Sequence, residues 1–139
     1  MELLAFFRGR RSAADQAELD AAVAAVDREL AANLELTTMF DQTRQAFVLE
    51  NGQFAIHAET LRRLAPAAHA EAAALYAGIV EAELAMERRG PANSMADADR
   101  AIVETWEGDA RHVQRRLRVA ASTAPPSGWD RLRARLSVR

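Results

Sequence analysis

Two histidine triplets are the first residues whose types could support metal chemistry. His57-Ala58-Glu59 and His69-Ala70-Glu71 repeat the same order of residues. In a helix, side chains two residues apart point in widely different directions, so neither histidine converges on its own glutamate. The Glu-x-x-His spacing of carboxylate-bridged di-iron bundles is also absent from the sequence. We therefore expect both histidines to be solvated on helix surfaces.

Asp109 and His112 form the other candidate metal pair, because residues at i and i+3 share one face of a helix. A divalent ion would need further ligands from a second helix, and Arg111 would repel it. The alternative is a surface hydrogen bond between the two side chains. The sequence favours that alternative, so no cofactor is predicted, and Asp109 and His112 are retained as the metal candidates.

The composition excludes several classes of enzyme. The chain has no cysteine, and all 18 of its basic residues are arginine. A thiolate nucleophile, a disulfide framework and a lysine Schiff base are therefore excluded. The sequence contains neither a G-x-S-x-G elbow nor a glycine-rich nucleotide motif. We predict a non-enzymatic protein with no small-molecule substrate.

Charge is distributed unevenly along the 139 residues. The formal net charge is −2, yet residues 111–139 carry eight arginines against the single acid Asp130. Basic ends on an acidic middle indicate an anionic partner at the ends, or ends that fold back onto the acidic body. The sequence favours the second alternative. Nucleic acid is not a predicted partner, because the net charge is negative and only 6% of residues are aromatic.

Both ends of the chain combine apolar with cationic side chains. These residues are Leu3, Leu4, Phe6, Phe7, Arg8, Arg10 and Arg11 at one end, and Trp129, Arg131, Leu132, Arg133, Arg135 and Leu136 at the other. Such segments favour contact with an anionic membrane surface, or packing of their apolar faces onto the rest of the protein. No window reaches the roughly 18–20 apolar residues of a membrane span. We expect a cytoplasmic protein, with peripheral membrane attachment as the alternative.

Apolar residues recur at helical spacing throughout the sequence, and no segment alternates like a strand. Ser12-x-x-Asp15 and Ser94-x-x-Asp97 are typical helix starts, and Asn51-Gly52 is a typical turn. The predicted helices cover residues 13–47, 54–64, 66–88 and 95–121, followed by a basic amphipathic helix at 127–139. Short connections favour antiparallel neighbours. We predict an all-α fold in one domain: a basic segment at 1–11, an up-down bundle of about four helices at 12–122, and the helix at 127–139.

Two polar residues interrupt the apolar stripe of the first helix. Asn33 and Thr37 stand where the helical period predicts buried side chains. A buried asparagine can fix the register or the oligomeric state of packed helices. The alternative, equally compatible with the sequence, is a partly exposed edge of the stripe.

Residues 27–89 resemble a group of uncharacterised bacterial all-helical proteins. In that group a helix with an E-x-x-x-N-L-E-like motif precedes a turn, a short helix that begins near an aromatic residue, and a Leu-Pro break. The matching residues here are Glu29, Asn33, Leu34, Glu35, Phe54, Leu61, Leu64, Pro66, Leu75 and Tyr76. Members commonly carry an N-terminal membrane anchor and have no assigned catalytic residues. The resemblance implies a membrane-proximal helical domain.

These observations favour a helical bundle that works through protein contacts as a homo-oligomer, because long apolar stripes often need more partner surface than one short chain supplies. A peripheral module that binds anionic lipid through its basic ends is the second hypothesis. A metal-binding helical protein is the third.

Overall fold

The computed structural model describes residues 11–122, and these residues are helical apart from short connections. The helices are α1 (Ala13–Thr43), α2 (Gly52–Leu64), α3 (Pro66–Ala77), α4 (Ile79–Glu87) and α5 (Asp97–Ser122). A short 3-10 helix at Pro91–Asn93 precedes α5. The all-α prediction is confirmed, and α3 with α4 forms one kinked rod, so the bundle has four main helices.

The two longest helices, α1 and α5, pack antiparallel. Near the start of α1, the side-chain amide of Gln16 donates to the carbonyl of Ala121, while Thr37 donates to Glu107. The two helices therefore lie side by side over about 30 Å, at 1.5 Å per residue. The remaining helices cover the other side of this pair and close the hydrophobic core.

One apolar stripe from each helix builds this core. Burial of such stripes stabilises the fold by roughly 25 cal/mol per Å² of apolar surface removed from water. The large buried side chains are Leu19, Val23, Val26, Leu30 and Phe40 from α1, Leu61 from α2, Leu75, Ile79 and Met86 from α3 and α4, and Val103, Trp106, Val113 and Leu117 from α5. Helical spacing in the sequence predicts an inner face of α5 at Ala98, Ile102, Trp106, Val113 and Leu117. This prediction is wrong at Ala98, which is exposed, and it omits the buried Val103.

Helix α1 begins as predicted but ends earlier. The Ser12 hydroxyl accepts a hydrogen bond from the backbone N–H of Asp15 at 3.0 Å, as a helix N-cap does. The helix ends at Thr43, four residues before the predicted end, because Arg44 adopts left-handed backbone geometry with φ of 60°. Its N–H donates to the carbonyl of Phe40 and closes the last turn.

Buried polar groups hold the segment after α1 away from a helical path. The backbone N–H groups of Leu49 and Glu50 donate to the side chains of Glu83 and Asn33, at 2.9 and 2.7 Å. These bonds fix residues 44–51 as an irregular connection. As a result Leu49 is buried, whereas Val48, which the sequence placed on the apolar stripe, is 82% exposed.

The predicted helix at 66–88 is divided at Gly78. A Cβ at this position would lie 3.3 Å from the carbonyl oxygen of Leu75 and 3.8 Å from the Trp106 ring. The tightest contact of such a Cβ would be with the backbone of the bend, whereas 3.8 Å from Trp106 is an ordinary van der Waals distance, so the glycine suits the bend itself. The indole N–H of Trp106 donates to the Leu75 carbonyl at 3.2 Å and fastens α5 to this bend.

Candidate functional site

A shallow groove of about 470 Å³ runs between α1 and α5 and opens to solvent. Five of its lining residues come from α1 and one from α5. They are Ala31, Leu34, Glu35, Thr38 and Met39 with Gln114. Met39 is 46% exposed, although it is one of the larger apolar side chains of the protein. The groove therefore offers an apolar floor that no described residue covers.

An acidic cluster adjoins this floor. Glu107 is buried beside α1 and accepts a hydrogen bond from the Thr37 hydroxyl at 3.2 Å. Burial raises the pKa of Glu107, and the charges of Asp41 and Glu104 add to the effect. The Thr37 hydrogen bond and Arg111, 4.0 Å away, act in the opposite direction. Glu35 is the acidic residue that lines the groove itself.

The raised pKa of Glu107 predicts a specific pH dependence of stability. The folded protein binds a proton at Glu107 more tightly than the unfolded chain does, so this residue's contribution to the free energy of unfolding falls as the pH rises through the raised pKa. In Glu107→Gln this fall should disappear, and the amide should still accept from Thr37. At neutral pH we expect the free energy of unfolding of the variant to equal that of the parent or to exceed it by up to roughly 0.5 kcal/mol.

Urea unfolding between about pH 4 and about pH 8, a range that spans the carboxyl titration, measures this effect. Glu81→Gln on the exposed face of α4 is the matched control, and its pH profile should follow that of the parent. An unchanged slope in Glu107→Gln would contradict the role assigned to this carboxylate.

Asn33 and Thr37, the predicted polar residues of the apolar stripe, are both completely buried. The Asn33 amide accepts from the backbone N–H of Glu50 and donates to the carbonyl of the same residue at 2.8 Å. Thr37 joins α1 to Glu107 of α5. Neither residue lies on an exposed edge; instead Asn33 fixes the connection after α1, and Thr37 links the floor of the groove to its acidic cluster.

Glu29 is a buried acid that the chemistry of the sequence did not single out. Its carboxylate accepts from the backbone N–H groups of Gln53 and Phe54, at 2.7 and 3.1 Å, and from the Tyr76 hydroxyl at 2.9 Å. It therefore satisfies the free N–H groups at the start of α2. Burial raises the pKa of Tyr76 well above its ordinary value, and the bond to Glu29 adds to the shift. The signal was available, because Glu29 lies between Val26 and Leu30 on the buried face of α1.

The metal candidates do not assemble into a metal site. His112 faces Glu71 of α3, with 3.4 Å between ring nitrogen and carboxylate oxygen, and Arg116 donates to the same carboxylate at 3.0 Å. Asp109 lines the shallow pocket beside them. Across residues 11–122, no group of three metal-ligating side chains converges. The arginine neutralises the glutamate that a cation would need.

The other two histidines have different surroundings. His69 was expected to be solvated, but its ring stacks on Phe54 with 5.9 Å between ring centres, and Phe54 also stacks on Tyr76 at 4.4 Å. His57 is half-buried on α2. These aromatic contacts fasten α2 to α3, so His69 contributes to the packing of the bundle.

The predicted interaction surface at the chain ends is described at Arg11 alone. Its guanidinium donates to the carbonyls of Ala120 and Leu64, at 3.1 and 3.3 Å, and so holds the chain against the bundle. The others lie outside the described residues, namely Leu3, Leu4, Phe6, Phe7, Arg8, Arg10, Trp129, Arg131, Leu132, Arg133, Arg135 and Leu136.

Comparisons with known proteins supply no relative. No family model matches the chain, and neither a curated protein nor a solved structure matches it. Between residues 11 and 122, every helix is too short or too polar to traverse a lipid bilayer.

Proposed function

We propose that this protein is a non-enzymatic interaction module that binds a basic amphipathic segment in the groove between α1 and α5. The observation that carries the proposal is the exposed apolar floor at Leu34 and Met39, with the carboxylate of Glu35 in the same groove. An amphipathic helix meets both features at once, because its apolar face covers the floor and its cationic residues approach the acids.

The apolar floor supplies the affinity in this proposal. Met39 is flexible and polarisable, and methionine adapts to partners of different shape. Leu34 is half-buried and lies one helical turn before Thr38, so the exposed strip extends along α1 rather than forming an isolated spot. Covering such a strip removes apolar surface from water, at roughly 25 cal/mol per Å².

The acidic cluster supplies the preference for a basic partner. Glu35 lines the groove, and repulsion from the charges of Asp41 and Glu104 adds to the raised pKa of the buried Glu107 on α5, which Arg111 opposes. Cationic side chains relieve that repulsion and increase the rate of association. Because the acids at the rim are solvated, their attraction weakens with added salt, on a screening length of about 8 Å at physiological ionic strength.

A labelled peptide tests the proposal. The probe is a 14-residue helix former, a length of about four turns, with leucines at i, i+3, i+4 and i+7 and arginines between them. The full chain should bind it at low salt, and affinity should fall as salt rises. A peptide of the same composition with scrambled order should bind at least about tenfold more weakly, a difference of 1.4 kcal/mol.

Matched charge reversals locate the binding site. Glu35→Arg with Glu104→Arg should weaken binding of the peptide at least about tenfold, or 1.4 kcal/mol. Glu81→Arg with Glu87→Arg makes the same change of charge on the exposed face of α4 and should change affinity less than twofold. Equal losses in both variants would overturn the proposal, as would no binding of the peptide either by the parent or by a chain that carries Arg131→Glu, Arg133→Glu and Arg135→Glu.

Self-association remains a prediction, and the outer face of α4 is the surface that would carry it. Val80 and Leu84 are 62% and 48% exposed one turn apart. Light scattering of the parent should give a mass above the 15.3 kDa of one chain. Val80→Glu with Leu84→Glu should reduce the measured mass to that of one chain, whereas Ile56→Glu on α2 should leave it unchanged. A parent that scatters as a single chain contradicts the prediction.

Attachment to anionic lipid is the second hypothesis. Arg11, which belongs to the basic N-terminal segment, is engaged with carbonyls of the bundle and so favours packing over lipid contact for that residue. Co-sedimentation of the full chain with vesicles that contain anionic lipid tests this hypothesis. Binding that fades as salt is raised would support it, and no binding at low salt would remove it.

A further inference from the structure

The C-terminal segment of this chain has the chemistry that the groove requires. Residues 123–139 follow α5 and lie outside the described residues. Trp129, Leu132 and Leu136 recur at spacings of three and four, which is the period of one apolar face of a helix. Between and after them stand Arg131, Arg133, Arg135 and Arg139, against Asp130 alone. The segment is therefore apolar and basic, whereas the groove is apolar and carries the acid Glu35.

The balance of charge between the two parts of the chain also favours this match. Residues 11–122 carry 18 acidic residues against 12 arginines, although the complete chain has a net charge of only −2. Much of the compensating positive charge lies in the C-terminal segment. Binding of this segment to residues 11–122 would reduce the repulsion among the carboxylates of those residues.

The distance from the end of α5 to the groove is short enough for residues 123–127 to span. Gln114, which lines the groove, precedes Ser122 by eight residues, so the segment must return about 12 Å along α5. Residues 123–127 span up to about 17 Å when extended, and Pro125-Pro126 favours an extended path. If helical, residues 127–139 are about 20 Å long. A helix of this length is long enough to extend from the level of Gln114 past that of Met39.

We infer that residues 127–139 of the same chain occupy the groove between α1 and α5 as an internal ligand. This inference rests on the proposed function and names the segment that the groove binds. The apolar face of the segment covers Leu34 and Met39, and its arginines approach Glu35, Asp41 and Glu104. An external basic helix must then displace the segment, so the chain regulates its own binding site.

Disulfide trapping tests the inference in the full chain, which contains no cysteine of its own. Met39→Cys with Leu136→Cys should form a bridge within one chain at low protein concentration, giving a faster-migrating monomer on a non-reducing gel. Ile56→Cys with Leu136→Cys is the control, because Ile56 is 68% exposed on α2. Bridge formation in the groove pair should be at least about tenfold faster, since docking raises the effective concentration of the two thiols.

Three outcomes in the absence of lipid would overturn the inference. They are equal rates in the two pairs, disulfide-linked dimers in place of monomers, and no bridge at all. Dimers would identify the occupant as the same segment of a second copy. Loss of the bridge when vesicles with anionic lipid are added, with no competition from the peptide, would identify lipid as the ligand of the segment and would also overturn the inference.

A second set of variants separates this inference from the proposed function. Arg131→Glu, Arg133→Glu and Arg135→Glu together should slow the bridge several-fold and should strengthen binding of the leucine-arginine peptide several-fold. If the peptide binds the groove of the parent but no bridge forms, the proposed function stands and the internal ligand is rejected. If the triple variant also fails to bind the peptide, both are rejected.

Discussion

Replacing Glu29 by alanine is expected to lower the free energy of unfolding by about 3–4 kcal/mol, because buried donors would lose a charged acceptor. Three donors depend on this carboxylate: the N–H groups of Gln53 and Phe54 and the hydroxyl of Tyr76. Glu29 itself is 4% exposed, so water cannot replace the lost bonds without opening the core. The start of α2 and the contact between α1 and α3 would weaken together.

Urea unfolding followed by circular dichroism measures this loss, and Glu29→Gln is the graded control. The amide keeps one acceptor oxygen but turns its NH₂ group toward the remaining donors, so we expect an intermediate loss. Glu59→Ala, which removes an exposed acid paired with the exposed Arg62, should leave stability almost unchanged. If Glu29→Ala and Glu59→Ala behaved alike, the anchoring role of Glu29 would be wrong.

Trp106→Ala should lower the free energy of unfolding by about 3–5 kcal/mol, at least as much as Glu29→Ala, because it opens a large cavity in the core. The ring is 5% exposed and packs beside Gly78, where α3 meets α4. Its N–H also donates to the Leu75 carbonyl. The substitution removes both the apolar contact and the hydrogen bond that hold α5 to the bend.

Trp106→Phe separates the two contributions. Phenylalanine keeps most of the ring but cannot donate to Leu75, so we expect a loss of about 1–2 kcal/mol from the hydrogen bond and the smaller volume. Thermal and urea unfolding should rank the parent above Trp106→Phe and Trp106→Phe above Trp106→Ala. Equal stability of the alanine variant and the parent would contradict the place of Trp106 in the core.

Helical period was sufficient to predict the fold class and most of the core. Leu75, Ile79, Ala82 and Met86 recur at spacings of three and four, which is the period of one helix face, and all four are buried. Burial of apolar stripes decides the packing of helices, and the spacing of apolar residues records it directly. The N-cap at Ser12 was predictable for a different reason. The hydrogen bond between its hydroxyl and the N–H of Asp15 joins residues only three positions apart, so a short sequence pattern reveals it.

The end of α1 was not predictable from local signals. Helical period continues through Phe47, yet Asn33 and Glu83 bind the backbone of residues 49 and 50 and draw the chain out of the helix. Those partners lie 17 and 34 positions away in the sequence. Tertiary hydrogen bonds of this kind override local periodicity, and a single sequence does not reveal which buried polar groups will meet.

The candidate site was only partly predictable. The sequence identifies Thr37 and the acidic residues of α1 and α5 as polar positions on those helices. It does not reveal the groove, which exists because α1 and α5 pack antiparallel and leave Met39 uncovered. The pairing of Glu71 with His112 and Arg116 depends on the same packing. Sequence spacing places residues on one face of one helix, whereas the site is made by two helices.

Paramagnetic NMR tests the central claim most directly. A nitroxide label on the leucine-arginine peptide, added to the isotope-labelled full chain, broadens the amide signals of residues near the bound peptide. We predict strong broadening within residues 31–41 and 104–114, and little on the outer faces of α2 and α4. Broadening that is uniform, or centred on α2 or α4, would contradict a binding site between α1 and α5.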